Sequence, residues 1–176
     1  WFIGERKSNS LGFLAATARS TDDSPSTNGG MEGPSDANSQ FELALRYLKG
    51  EHFEGESLFN KNVKKRDLPR ALAWFKLAAV QDHAPAQYHL GMLLLSDEAE
   101  SLKSASQGAE WLRKSANKGF ADAQFALGVG LIKGELPGPR DEQSGMSWIR
   151  KAANQNHGQA LFYLGTCCFS GEGGIT

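Results

Sequence analysis

The chain has 176 residues, room for one ordinary domain or a short repeat array but not for two full-sized enzyme domains. Hydrophobic residues at 40% and charged residues at 22% match an ordinary globular protein and argue against a disordered or membrane-embedded chain. The 19 basic and 20 acidic side chains leave a formal charge of -1, which removes the overall basicity expected of a nucleic-acid binder.

Residues 1 to 36 differ from the rest. Arg6, Lys7 and Arg19 outnumber Glu5, and the apolar stretch Leu11–Ala16 is far shorter than the roughly 18 residues that cross a bilayer. From residue 20 onward Ser, Thr, Asp, Asn, Gly and Pro dominate, and such a composition buries too little surface to offset the entropy of ordering it. A flexible leader and linker is therefore expected over 1–36. Its basic, Ser-containing front also suits an organelle-targeting segment.

Beyond residue 36 the chain repeats itself. Trp74, Trp111 and Trp148 stand 37 residues apart, and ten residues after each a small residue (Ala84, Ala121, Gly158) opens a recurring segment. These segments read APAQYHLG, ADAQFALG and GQALFYLG, with an earlier copy, ANSQFELA, from Ala37. The units are 37–83, 84–120, 121–157 and a partial unit 158–176, the first carrying ten extra residues.

Each unit resolves into two helices. In the first, aromatic (Phe41, Tyr88, Phe125, Phe162), small (Ala44, Gly91, Gly128, Gly165) and aliphatic positions recur at steps of three and four, which marks one apolar helix face. Gly50, Gly134 and Gly171 serve as stops, with Asp97 in the second unit. In the second helix Asp67, Ser104 and Asp141 stand seven residues before each tryptophan as N-caps. Asp82, Gly119 and Asn156, eight residues after it, suit the left-handed conformation that ends a helix. Gly108 and Gly145 lie inside helices, at a cost of about 1 kcal/mol each, so a neighbouring helix must approach closely there.

The pattern A-x-A-x-x-x-L-G in the first helix and W-[FLI]-x-[LK]-[AS]-A in the second resembles the Sel-one-like repeat, a relative of the tetratricopeptide repeat, over residues 37–176. The resemblance implies an all-α fold, a right-handed α/α superhelical solenoid of helix-turn-helix units, and a non-enzymatic scaffold or adaptor that binds other proteins. Its cysteine-rich secreted branch carries a disulfide pair in each repeat, which this chain lacks. The last unit stops before its second helix.

Positions that agree between copies are explained by packing, so partner recognition is expected where copies disagree. The second, sixth, tenth and thirteenth positions of the first helix form one such stripe, and in related solenoids the first helices line the concave surface. From it come the candidate partner-binding residues: Glu42, Arg46, Lys49, His89 and Lys133 for polar and charge-assisted contacts, Leu93 and Tyr163 as apolar anchors. The basic run Lys61–Arg66 reads as a soluble loop, and Lys76, Arg113 and Arg150 as a solvated outer face.

No catalytic, cofactor or metal site is expected. The four histidines lack His-x-x-x-His spacing, Cys167 and Cys168 lack the gap of a zinc knuckle, and Gly128-Val-Gly130 falls inside a helix rather than after a strand. Both thiols read as buried apolar filler. Partners are then other proteins, with no nucleic acid and no membrane insertion. The scarce cysteines and the absence of an Asn-x-Ser/Thr sequon favour a soluble intracellular protein, cytoplasmic or mitochondrial. The alternative function is a regulatory or substrate-recruiting repeat segment of a larger enzyme or assembly.

Overall fold

The computed structural model describes residues 33–51, 66–96 and 104–170. Among these residues all regular structure is helical: α1 (Ala37–Lys49), α2 (Leu68–Val80), α3 (Ala84–Leu95), α4 (Ala105–Asn117), α5 (Ala121–Lys133), α6 (Glu142–Asn154) and α7 (Gly158–Ser170). No described helix is long and apolar enough to cross a membrane. The leader up to residue 32, most of the basic run Lys61–Arg66, and the stops at Asp97 and Gly171 lie outside the described residues.

Local chemistry sets the helix ends. Asp67 and Asp141 cap α2 and α6, their carboxylates accepting from the backbone N–H of Arg70 and Ser144 at 3.0 and 2.9 Å. Ser104 precedes α4 as expected, but its side chain makes no capping bond. At the other ends Asp82, Gly119 and Asn156 all adopt positive φ (67°, 89° and 62°), and Gly50 and Gly134 close α1 and α5 at 73° and 72°. Two caps went unread in the sequence. The Nδ1 atoms of His83 and His157 accept from the N–H of Ala86 and Ala160 at 3.2 Å, holding the starts of α3 and α7.

Neighbouring helices pack in sequence, α1 on α2, α3 on α4 and α5 on α6 within units, then α2 on α3, α4 on α5 and α6 on α7 between them. The result is an all-α helical repeat solenoid. Interior glycines explain the tight fit within units. A Cβ on Gly91 would fall 2.9 Å from the carbonyl oxygen of Gly108, and one on Gly108 the same distance from that of Gly91. Gly128 and Gly145 face each other likewise at 2.7 and 2.6 Å, so backbone meets backbone where any side chain would intrude. In unit one Ala44 and Ala71, both fully buried, take these places.

Apolar clusters fill the space on either side of these contacts. Trp74, Phe75, Tyr47 and Leu90 are buried together, and Trp111 of the next unit packs partly buried against them. Trp148 closes the following cluster, around Leu112 and Leu127, in the same manner. Each tryptophan thus helps to cover the seam between units, which two helices alone leave open. Lys114 and Lys151 lie 4.3 and 3.8 Å from the ring centroids of Trp111 and Trp148, covering the faces that remain exposed.

Glutamines tie the units together. Gln87 and Gln124, both buried, donate from Nε2 to the carbonyls of Ala79 and Ala116 at the end of the preceding helix. Gln124 in turn accepts from Gln155 at 2.8 Å, as Gln40 does from Gln81. In unit two Lys118 occupies the place of Gln81 and Gln155 and reaches Asp82 instead, at 3.2 Å, which leaves the buried Oε1 of Gln87 without a donor. Ahead of α1, Pro34 and Ser35 accept hydrogen bonds from Gln40 and Gln81, and Gly33 lies so close to the Trp74 ring that a Cβ would sit 2.4 Å from it.

Among the described residues the fourth unit supplies α7 alone. Phe162 is 74% exposed and Leu161 49%, and a Cβ on Gly165 would touch nothing within 4 Å, where Gly91 and Gly128 meet a partner glycine. Cys168 is exposed and Cys167 only partly buried, so the reading of both thiols as buried filler is corrected: among the described residues no helix covers the outer side of α7.

Candidate functional site

The first helices place the predicted stripe in three different environments. On α1, Glu42, Arg46 and Lys49 are exposed. On α5, Lys133 is exposed and lies 3.5 Å from Glu135 across the helix end. On α7, Tyr163 is half-buried, its ring edge-on to Phe125 at 6.3 Å.

Two members of the stripe do other work. Leu93, expected as an apolar anchor for a partner, is 7% exposed and belongs to the core cluster with Leu90 and Leu94. His89, expected to give a charge-assisted contact, stacks on Phe75 at 5.3 Å with the rings 9° apart, and Phe41 and Tyr88 flank it at 5.5 and 5.1 Å. Burial pushes its pKa below the usual histidine value and outweighs the upward pull of Asp122, so the ring is neutral at pH 7. Both assignments are corrected to packing. The reason is common to the two: α3 faces the aromatic Phe41 and Phe75 of the preceding unit, and the boundary between α1 and α3 is filled with rings.

One boundary further on the space stays open. A groove of about 550 Å³ runs between α3, α5 and α7. Tyr88, Met92 and Leu95 of α3, with Ser96 just past its end, form one wall, and Phe125, Ala126, Val129 and Gly130 of α5 the other. Leu136, carried on the loop after α5, forms part of the lining where a Cβ on Gly130 would come 2.7 Å from its Cγ. Asp122, Glu135 and Gln159 supply the polar edges. The difference from the closed boundary lies at the sixth position, where His89 fills space and Ala126 does not, and at the tenth, where Leu93 is replaced by Gly130.

Five stripe positions therefore line the groove (Ser96, Asp122, Ala126, Gly130 and Gln159), while none of Glu42, Arg46, Lys49, Lys133 or Tyr163 does. Met92 and Val129 do line it, and the sequence contained a signal for them. The ninth position reads Leu45, Met92, Val129 and Thr166, which also disagrees between copies while staying apolar in three of them. Leu136 carried no such signal, because it belongs to a loop rather than to a repeated helix position.

At the groove's edge Asp122 and His157 meet at 3.1 Å. Because Nδ1 of His157 accepts from the backbone of Ala160, Nε2 carries the proton and donates to Asp122. Asp122 also makes the Tyr88 hydroxyl harder to ionise, adding to the larger effect of burial. Among the described residues no group of three or more His, Cys, Asp or Glu side chains could hold a metal ion. Lys76, Arg113 and Arg150 are exposed.

A search of functionally curated proteins finds no significant match. Solved structures are more informative. A protective antigen of uropathogenic Escherichia coli that displays an SLR fold is 31% identical with a TM-score of 0.65, over 79% of this chain and 27% of that one. The chain thus spans only about a quarter of that longer protein. A Sel1 repeat protein from Oxalobacter formigenes is 27% identical with a TM-score of 0.52, over 68% of this chain and 82% of that one. The Sel1 repeat family matches at residues 37–83, 84–120, 121–157 and 158–176, the same units that the tryptophan spacing delimits. Repeated helix pairs, glycine contacts and tryptophan-covered seams thus belong to a known design, and this chain is a member of the Sel1 (Sel-one-like) repeat family.

Proposed function

We propose that the chain is a non-enzymatic interaction scaffold that holds a segment of a partner protein against its first helices. Sel1 repeats are in general protein-interaction modules. The observation that carries the reading for this chain is the groove between α3, α5 and α7: three units contribute to it, its walls are largely apolar, and its volume falls in the range of about 300–1,000 Å³ typical of ligand-holding clefts. Exposed Glu42, Arg46 and Lys49 on α1, and Lys133 and Tyr163 flanking the groove's helices, extend the surface with polar and aromatic contacts.

Affinity capture tests the proposal. The full chain, used as bait, retains a partner; Met92→Glu with Ala126→Glu removes that partner while helical content and melting temperature stay within the range of ordinary surface substitutions. Retention of the same partner by the double variant would show that the groove is not where partners bind.

A further inference from the structure

The groove is not electrically neutral. Among the described residues its lining holds two carboxylates, Asp122 and Glu135, and no lysine, arginine or histidine, although the whole chain carries almost equal numbers of acids and bases. The two acids sit at opposite ends of α5: Asp122 in its first turn, Glu135 just past its left-handed Gly134. Thirteen residues of helix separate them by about 20 Å along the axis. Between them the α5 wall is Phe125, Ala126, Val129 and Gly130, with Met92 opposite on α3.

We infer that this groove takes an extended, basic-and-apolar peptide segment: apolar side chains against Met92, Phe125 and Val129, with Lys or Arg reaching Asp122 at one end and Glu135 at the other. The inference rests on the interaction-scaffold reading and names the chemistry of its partner. About six residues of extended chain span 20 Å, and their alternation turns every second side chain toward the groove. Ala126 presents a small side chain midway along this wall, so a backbone can lie close to α5 there, while Leu136 packs over Gly130.

Neither carboxylate is lost to an internal partner. Glu135 meets exposed Lys133 at 3.5 Å, a surface pair that a bound cation readily replaces. Asp122 uses Oδ1 for His157, and it remains about half exposed. Its negative charge is felt across the groove at Tyr88 and His89 on α3. An acidic segment entering here meets repulsion from both ends and no cation among the described lining residues, which gives the site a preference by sign.

Selection of a random peptide library displayed on phage against the full chain is the test. Recovered sequences are expected to be rich in Lys or Arg beside apolar residues, and poor in Asp and Glu. Synthetic copies of the strongest ones should lose about tenfold in affinity against Asp122→Asn with Glu135→Gln, and should weaken as salt rises. Glu135→Gln alone provides the same comparison if removing the His157 bond lowers the melting temperature of the double variant. Enrichment of neutral or acidic sequences, or unchanged affinity for the variants, would overturn the basic-segment inference while leaving the scaffold reading standing. Failure to enrich any sequence over the starting library would remove both.

Discussion

Alanine placed at two glycines inside helices, one facing a neighbouring backbone and one facing open space, should move stability in opposite directions. At Gly145 the new Cβ would sit 2.6 Å from the carbonyl oxygen of Gly128 and 2.5 Å from Cγ1 of Ile132. Ordinary contact begins near 3.4 Å, so α5 and α6 must part by about 0.8 Å, disturbing the cluster of Ile132, Met146, Ile149 and Ala153. Overpacking of this kind costs about 1–3 kcal/mol, and an obstacle of rigid backbone places it at the upper end; better helix propensity returns about 1 kcal/mol. The net expectation for Gly145→Ala is a loss of about 2 kcal/mol, or roughly 6–8 °C in melting temperature for an array of this size. At Gly165, the first-helix counterpart of Gly128, nothing lies within 4 Å, so only the propensity term acts and Gly165→Ala gains up to about 1 kcal/mol. Urea titration followed by circular dichroism measures both. Equal signs for the two variants would show that glycine–glycine contact is not what fixes the spacing of the helices.

Three further outcomes follow from the same packing. Trp74→Ala, at a site with no exposed surface, should cost about 4–5 kcal/mol, and Trp111→Ala, half-buried at the next seam, about 3 kcal/mol, by denaturant midpoint; a reversed order would displace the tryptophans from the seams. Lys118→Gln should restore in unit two the glutamine pair of units one and three, supplying a donor to Gln87 and gaining about 0.5–1 kcal/mol despite the loss of an exposed ion pair with Asp82. A lower melting temperature for that variant would count against the pairing. His83 and His89 are both held below their ordinary pKa of 6.5 by burial, so as pH falls the unfolded chain takes up protons first. Stability is therefore complete above about pH 6.5 and drains away below it, and His89→Phe should flatten the decline in urea midpoint measured from about pH 7.5 to about 5.

Regularity made most of the fold legible. Asp82, Gly119 and Asn156 lie eight residues past a tryptophan and all three take positive φ, because a helix that ends at a fixed offset needs the same backbone turn each time. The glycine contacts were legible for a related reason: a costly residue kept inside a helix announces a close neighbour. The histidine caps were not, since an imidazole accepting a backbone N–H has no spacing signature of its own. Nor was the fate of the stripe. Disagreement between copies was read as exposure, but Leu93 differs from Arg46 because its helix faces a different neighbour, not because it faces solvent.

That distinction explains where a binding surface arises in an array of like units. Variation at the sixth and tenth positions acts by opening or closing the space between successive first helices, and only secondarily by changing what is displayed. His89 and Leu93 close one boundary with a stacked ring and a buried side chain; Ala126 leaves the next one open, while the place of Leu93 is taken by Gly130 with Leu136 packed over it. Chemistry is then supplied by Asp122, where the other copies have Asn38, Pro85 and Gln159, and by Glu135, at a position that is glutamate in every copy (Glu51, Glu98, Glu172). Replacing Ala126 by His, the residue that fills the other boundary at this position, should therefore fill the groove at little cost in stability and abolish peptide capture, as measured with the peptides selected on the parent chain. Capture that survives this filling would mean that the first helices bind through an outward display of side chains, and that the volume between them is incidental.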